Sequence, residues 1–451
     1  MARQSLRDEV HAGVQALKWP SLLPRIWALS GEVDAIRAAG AEVASGRNSG
    51  FAEDMLGGTK LKILQWNILC DGLSGSHPER GGFVKAPPDS LDWDKRRWKI
   101  LEEILRWDCD VLALQEVDHH HDWLSPMLQK GGYRGLFVKK PCAPGLESNP
   151  TLEDGCSLFY RATPGAGAGA GKGEGEKESS TTLELLDAHS FTFAVIEGED
   201  MVDDGEEEIE AGDKAADVTD SRTPVVQNQV AMLALLRVSA GQGTEGADQN
   251  VDARQDSLVL LATTHLKALK NGHGEQARAR QASQLLAEVD RFRVGHEAGR
   301  GLPPGSIPLV VAGDFNATPH MSKSGGGDGS GYEPLCFQRI MNHPLRLRSA
   351  FPLEGMFTTW KVRPLAAAAA PPAADLAAAT DTPAQQAKGS AAEGGRTKET
   401  KHCIDYVWVS EGVQTVRRST FPRGEELGPL RAPSFVYPSD HFALAAELRL
   451  P

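Results

Sequence analysis

No two cysteines in this chain stand at C-x-x-C spacing; the six present (Cys70, Cys109, Cys142, Cys156, Cys336 and Cys403) are scattered. That argues against a cysteine zinc site and predicts reduced thiols in a reducing compartment. No apolar run reaches the roughly 18 residues needed to span a bilayer. The first residues lack a charged-then-apolar leader, and Asp8 and Glu9 sit poorly in a transit peptide. A cytoplasmic location is expected, with organelle import left open. Basic excess is missing too: 48 Lys and Arg face 61 Asp and Glu, a formal net charge of -13, unlike a duplex-DNA binder. No internal repeat is visible, and a monomer is the default.

The negative charge is local. Between residues 196 and 222, twelve acidic side chains stand against Lys214 and Arg222, which accounts for ten of the thirteen net charges. The remainder is near neutral and leaves room for a phosphate pocket. At 40% hydrophobic residues the chain can bury a sizeable core. Low-complexity stretches at 164–180, 197–222, 240–256, 322–331 and 364–400 carry too little apolar surface to offset ordering entropy, and are expected to be disordered insertions. Residues 1–58 read as a helical extension that includes a helix over 22–39, and 59–451 as one α/β domain of short apolar runs and helical patterns. Strands are expected at 61–68, 111–114, 133–138, 156–160, 183–193, 230–238, 258–265, 308–312, 403–409, 413–420 and 442–450. Long helices are expected at 92–107 and 275–292.

Several of these runs end in, or contain, a polar residue suited to phosphate chemistry. In VVAGDFN, Asp314 and Asn316 sit two apart beyond an apolar strand and so share a side. They suit a site that orients water and holds a phosphate oxygen, and they also suit a simple turn. Glu116 ends the run 111–114, where an unpaired carboxylate is costly and a cation partner is plausible. Asn67 closes the first core run, Asp440 and His441 enter the last, and His265 ends 258–265. Asp405 lies inside an apolar strand, a good position for orienting a histidine. Oxygen ligands of this kind suit Mg²⁺ or Mn²⁺ rather than zinc.

The ordered segments LQWNIL, LALQEVD, TTHLKA, VVAGDFNATP, CIDYVWV and YPSDHFAL resemble the endonuclease/exonuclease/phosphatase superfamily. WDKRRWKILEEILRWDCDVLALQEVDHH, DGCSLFY, FTTWKVRP and PSFVYPSDH are similar to its nocturnin and deadenylase branch. The resemblance implies a four-layer αββα sandwich with the site where the two sheets open. It implies Glu116 as principal Mg²⁺ ligand, with Asn67 and Asp440 completing the metal environment. Asp314 would polarise the attacking water, Asn316 and His265 would hold phosphate oxygens, and His441, oriented by Asp405, would stabilise developing charge.

For the substrate, the resemblance implies either the 2′-phosphate of NADP⁺ and NADPH, giving NAD⁺ or NADH, or the 3′ end of poly(A). Lys140, Lys267 and Arg363 fill three of the basic substrate-binding positions of the nocturnin pattern; the fourth is Leu269, with Lys270 beside it. No leucine-rich repeat, RNA-recognition module or basic tail accompanies the core. The dinucleotide phosphatase reading therefore ranks above the exoribonuclease. A noncatalytic scaffold is the reading from another class.

Overall fold

Along the strand Lys60–Asn67 the side chains alternate between two cores: Leu61 and Ile63 join one buried cluster, Leu64 and Trp66 another. That period of two places a sheet between two hydrophobic layers. The computed structural model describes residues 2–30, 58–77, 81–143, 153–162, 181–196, 224–239, 257–321, 331–364 and 397–451.

One sheet contains β1 (Trp27–Leu29), β2 (Lys60–Asn67), β3 (Val111–Gln115), β4 (Tyr133–Lys139), β5 (Gly155–Arg161), β14 (Gln414–Ser419) and β15 (Leu444–Arg449), in the order β1-β14-β15-β2-β3-β5-β4. The other contains β6 (Thr182–Ile196), β7 (Pro224–Ser239), β8 (Ser257–His265), β9 (Leu309–Asp314), β10 (Arg348–Ser349) and β13 (Asp405–Val409), in the order β10-β13-β9-β8-β7-β6. A separate hairpin pairs β11 (Thr359–Pro364) with β12 (Thr397–His402). Inner-face residues of both sheets, among them Leu61, Val111, Leu233 and Val311, share one core.

Each sheet is built around a parallel pair joined by a helix. The helix Trp93–Trp107 connects β2 to β3, and Gly272–Gly299 connects β8 to β9. In the first, Asp92 caps the start by accepting Asp94 N–H, and Asp108 stops it in the left-handed region. Its buried Ile100, Leu101, Ile104 and Trp107 recur at helical spacing and cover the outer face of the first sheet. In the second, Ala282, Leu285, Leu286 and Val289 pack on the other sheet. The expected four-layer α/β sandwich is therefore the observed one. Among the described residues, no helix is long and apolar enough to cross a membrane.

The two parallel pairs point their carboxyl ends the same way. Asn67 lies opposite Gln115, and His265 opposite Asp314. The antiparallel neighbours begin at that end, with Asp405 paired to Asp314 and Leu444 to Gln65. The hairpin is fastened beside it, since Phe442 N–H donates to Thr358 O.

Two expectations change. Residues 27–29 form a short edge strand, in register with Arg417–Ser419, instead of part of a helix over 22–39; residues 31–39 lie outside those described. Tertiary pairing overrides local propensity here, because Arg25 is buried against Glu103 at 3.0 Å and also donates to Tyr437 Oη and Ala443 O. The N-terminal segment, with its helix Ala2–Leu17, thus packs on the core. The stretch 364–400 is also not wholly an insertion. Pro364 belongs to β11 and 397–400 to β12, a polar strand hidden by the Ala/Pro-rich composition beside it. Residues 365–396, together with 164–180, 197–222, 240–256 and 322–330, lie outside the described residues.

Arg25→Ala leaves Glu103 with Arg106 at 3.1 Å and with Trp107 and Tyr437 as donors, so the expected cost, read from the urea midpoint, lies below the roughly 3–5 kcal/mol of an uncompensated buried charge. A second prediction concerns acid. His120 is buried between Phe137 and Phe159 with Nδ1 at 2.9 Å from Ser157 Oγ, and burial lowers its pKa to about 4. Between pH 6.5 and 4 the unfolded chain takes up a proton that the fold refuses, so stability falls with pH, by about 3 kcal/mol in all. Urea titrations of His120→Phe across that window should show a shallower loss than wild type.

Candidate active site

Asn67 ends β2 and donates its amide Nδ2 to two carboxylates, Glu116 Oε1 at 2.8 Å and Asp314 Oδ2 at 3.1 Å. One side chain thereby joins the ends of three strands and both sheets. Its carbonyl accepts Leu69 N–H at 3.0 Å, which uses one of its two lone pairs. Glu116 and Asn316 both adopt left-handed backbone, with φ of 53° and 50°. Asn tolerates that region; for Glu it costs about 1–2 kcal/mol, strain typical of a functional position.

Glu116 is buried, and among the described residues its oxygens accept the Asn67 amide and Cys70 N–H alone, the latter at 3.3 Å. Among the described residues it has no ion-pair partner. A buried carboxylate with only neutral donors has the chemistry of a hard-cation ligand.

Across the pocket stands a histidine–carboxylate pair. His441 Nδ1 lies 2.9 Å from Asp405 Oδ2, and Asp405 Oδ1 accepts from Gln65 Nε2 at 3.1 Å. Gln65 also donates to Gln115, which donates in turn to Thr263 of the other sheet. Ser439 Oγ donates to Asn67 O and accepts His441 N–H, and Trp66 donates to His441 O. The imidazole is therefore held from several directions. Burial alone would lower its pKa, but Asp405, Asp440 and Asp314 outweigh burial and raise it to about 9. Burial and the neighbouring Asp405 push the Asp314 carboxyl upward. Donor atoms of Asp314, Asp405 and His441 lie within 4.8 Å of one another. With His441 Nδ1 directed at Asp405, the ring nitrogen left to meet a ligand is Nε2, while Glu116 stands apart from the trio as a buried carboxylate.

His265 completes the wall, with Nε2 at 3.5 Å from Asp314 Oδ2 and a buried Nδ1 that has no hydrogen-bond partner among the described residues. Burial, then Lys140 and His441, keep this imidazole neutral by lowering its pKa well below the usual value. Asn316 N–H donates to Asp314 Oδ1 at 2.9 Å, and its side-chain Nδ2 donates to Leu266 O at 3.0 Å.

The basic residues divide. Lys140 is held by Asp154 at 2.6 Å; burial opposes its charge, but Asp154 and Glu116 raise its pKa above the ordinary value. Arg363 stacks on Phe83 at 3.8 Å and lies 3.6 Å from Asp440. Asp440 is also bonded to Lys361, so its charge is engaged by two cations, and His441 Nε2 is 3.9 Å away. Lys267 is buried on the loop after His265. Further along that loop, loss of hydration and the nearby Lys361 lower the Lys270 ammonium to about 8, against Asp314 and Asp440. Lys361, Gln65, Gln115, Ser439 and Phe83 escaped the sequence reading. For the two glutamines the signal was present: each is polar on the inner face of an otherwise apolar strand.

The chain from residue 64 to residue 441 matches the model of the Endonuclease/Exonuclease/phosphatase family. Nocturnin of Xenopus laevis is 27% identical over 396 residues, covering 86% of this chain and 72% of that protein. Human nocturnin is 27% identical over 397 residues, covering 86% of this chain and 64% of the relative, just under two thirds of its length. Among solved structures, the human nocturnin catalytic domain with bound sulfate superposes with a TM-score of 0.50 at 22% identity, over 87% of this chain and 94% of that one. The 2′,3′-cyclic phosphatase ANGEL2 gives 0.53 at 15% identity, over 95% and 99%. These superpositions speak for the fold. The family match begins on the strand that carries Asn67 and ends on His441, taking in the whole pocket; the chain belongs to the endonuclease/exonuclease/phosphatase family and is a hydrolase of phosphoric esters.

Proposed function

We propose that the enzyme removes the 2′-phosphate of NADP⁺ and NADPH with the help of Mg²⁺, releasing NAD⁺ or NADH and phosphate. The observation that carries this reading is the short cationic rim beside the cluster of Asp314, His265 and His441. Lys270 lies within the electrostatic reach of Asp314, Asp440, Lys361 and Arg363, and Arg363 is braced on Phe83. Such a rim suits a small substrate with several phosphates gathered close to the ester that is cut. The nocturnin relatives support the same branch.

In this reading Asp314 orients a water for in-line attack and accepts its proton. His441, with Nδ1 turned to Asp405, directs Nε2–H at a phosphoryl oxygen, and His265 donates its ring N–H to another. The bond from phosphorus to the ribose 2′-oxygen breaks, and a solvent proton completes the hydroxyl. A divalent cation held by Glu116, with Asn67 and Asp440 nearby, would neutralise charge on the phosphoryl oxygens. No covalent enzyme intermediate is needed. A 3′ exoribonuclease using the same residues is the second reading, favoured by a 34% identity over 107 residues with the Ccr4 exoribonuclease subunit of Neurospora crassa.

The test offers NADP⁺, NADPH and 5′-labelled oligo(A) to purified protein with Mg²⁺ and with chelator. Metal-dependent phosphate release with the oligo(A) intact is the expected result. A ladder of shortened oligo(A) with untouched NADP(H) would transfer the assignment to the exoribonuclease. Glu116→Gln should abolish either activity at ordinary Mg²⁺ concentrations, and a scaffold role would survive it. Asp405→Asn should lower kcat by about 10³-fold with KM little changed, because it releases the tautomer and charge of His441 and leaves the substrate contacts in place.

A further inference from the structure

The segment Leu266–Lys270, just past the end of β8, carries Lys267 and Lys270 and belongs to neither sheet. Its backbone is held by the long helix Gly272–Gly299. Arg278, fully buried, donates Nη1 to Lys267 O at 2.9 Å and to Leu269 O at 2.5 Å. Its Nε and Nη2 are both fixed by Glu275 Oε2, at 3.1 and 2.7 Å. Glu275 is itself anchored, since its Oε1 accepts Cys336 N–H at 2.8 Å. One turn further on, Gln281 Oε1 accepts Lys267 N–H at 3.0 Å, while its Nε2 donates to Gln227 and Gln229 of β7. Both polar backbone groups of Lys267 are therefore committed to helix side chains.

The remaining freedom is removed from either end. Leu266 N–H donates to Asp314 O, and Asn316 holds Leu266 O. Asn271 caps the helix through Gly274 N–H, and a Cβ at Gly274 would stand 2.0 Å from Leu269 O, so the helix start is pressed against the loop. Glu275, Arg278 and Gln281 are spaced three apart, which puts them on one helix face. A fully buried guanidinium is costly unless its bonds are worth keeping. These bonds go to two carbonyls of the loop that carries Lys267 and Lys270.

We propose that Arg278, braced by Glu275 and assisted by Gln281, is a positioning residue that sets Lys267 and Lys270 against the phosphates of the substrate. Lys270 then takes the place of a basic residue at 269, where Leu269 gives only its carbonyl to Arg278. The proposal rests on the phosphate-ester reading above, but not on which ester is cut.

The experiment compares wild type, Arg278→Lys, the double variant Lys267→Ala/Lys270→Ala, and the triple variant, in steady-state kinetics with NADP⁺. Lysine keeps a charge facing Glu275 but is shorter, and its single ammonium lacks the planar fork that puts Nη1 on the two carbonyls and Nε and Nη2 on Glu275 together. Arg278→Lys is expected to raise KM about tenfold with kcat within about twofold. In the double-variant background the same substitution should change KM less than about twofold, the mark of action through the lysines. Equal loss in kcat with KM unchanged, or a KM effect undiminished in that background, overturns the proposal. If Arg278→Lys does not fold, judged by its melting curve, Gln281→Met removes the acceptor for Lys267 N–H at similar length and takes the same comparison. If wild type ignores NADP⁺ but shortens oligo(A), the dinucleotide reading has failed by itself. The four proteins are then compared on oligo(A), where the same KM pattern supports the positioning role and its absence refutes it.

Discussion

Asp405 is a fully buried carboxylate at the start of a strand in one sheet, and it bonds to Gln65 of the other and to His441. Such a charge is tolerable inside a protein only when every lone pair has a use. Here one oxygen faces the amide that ties together Gln65, Gln115 and Thr263, and the other faces the imidazole. The requirement to satisfy this group fixes the spacing of the sheets at their open end, and the same spacing sets Asp314 beside Asn67 and His441. Packing of the apolar inner faces brings the sheets together. The polar chain beneath the pocket determines how they meet.

Much of this was legible in the residues. Polar side chains closing apolar runs, as at Asn67, Glu116, His265 and Asp314, marked where strands emerge from the core, and all four meet in one pocket. The two long helices were visible in their periodicity. Gly272–Gly299 extends past the expected 275–292 at both ends because Gly272, Gly274, Gly295 and Gly299 lower local helix propensity, while packing against the loop sustains the helix.

Other features depend on contacts between remote residues and left little local trace. Trp27–Leu29 becomes a strand only because Arg417–Ser419 offers an edge. β12 is polar throughout and exists because β11 pairs with it. Nothing local to Arg278 announces burial, yet its guanidinium is wholly buried beneath the segment Leu266–Lys270. The engagement of Asp440 by Lys361 and Arg363 is likewise a product of topology, since the hairpin and the last strand are far apart in sequence.

The matched construction of the two sheets has a consequence for how activity arises. Each contributes a strand–helix–strand unit, and neither contains a working half-site: Asn67, Glu116 and His441 come from one, His265, Asp314 and Asp405 from the other. In the proposed mechanism, a chain with only one layer pair folded would lack half of these groups. On that mechanism, activity would report that the two sheets have met.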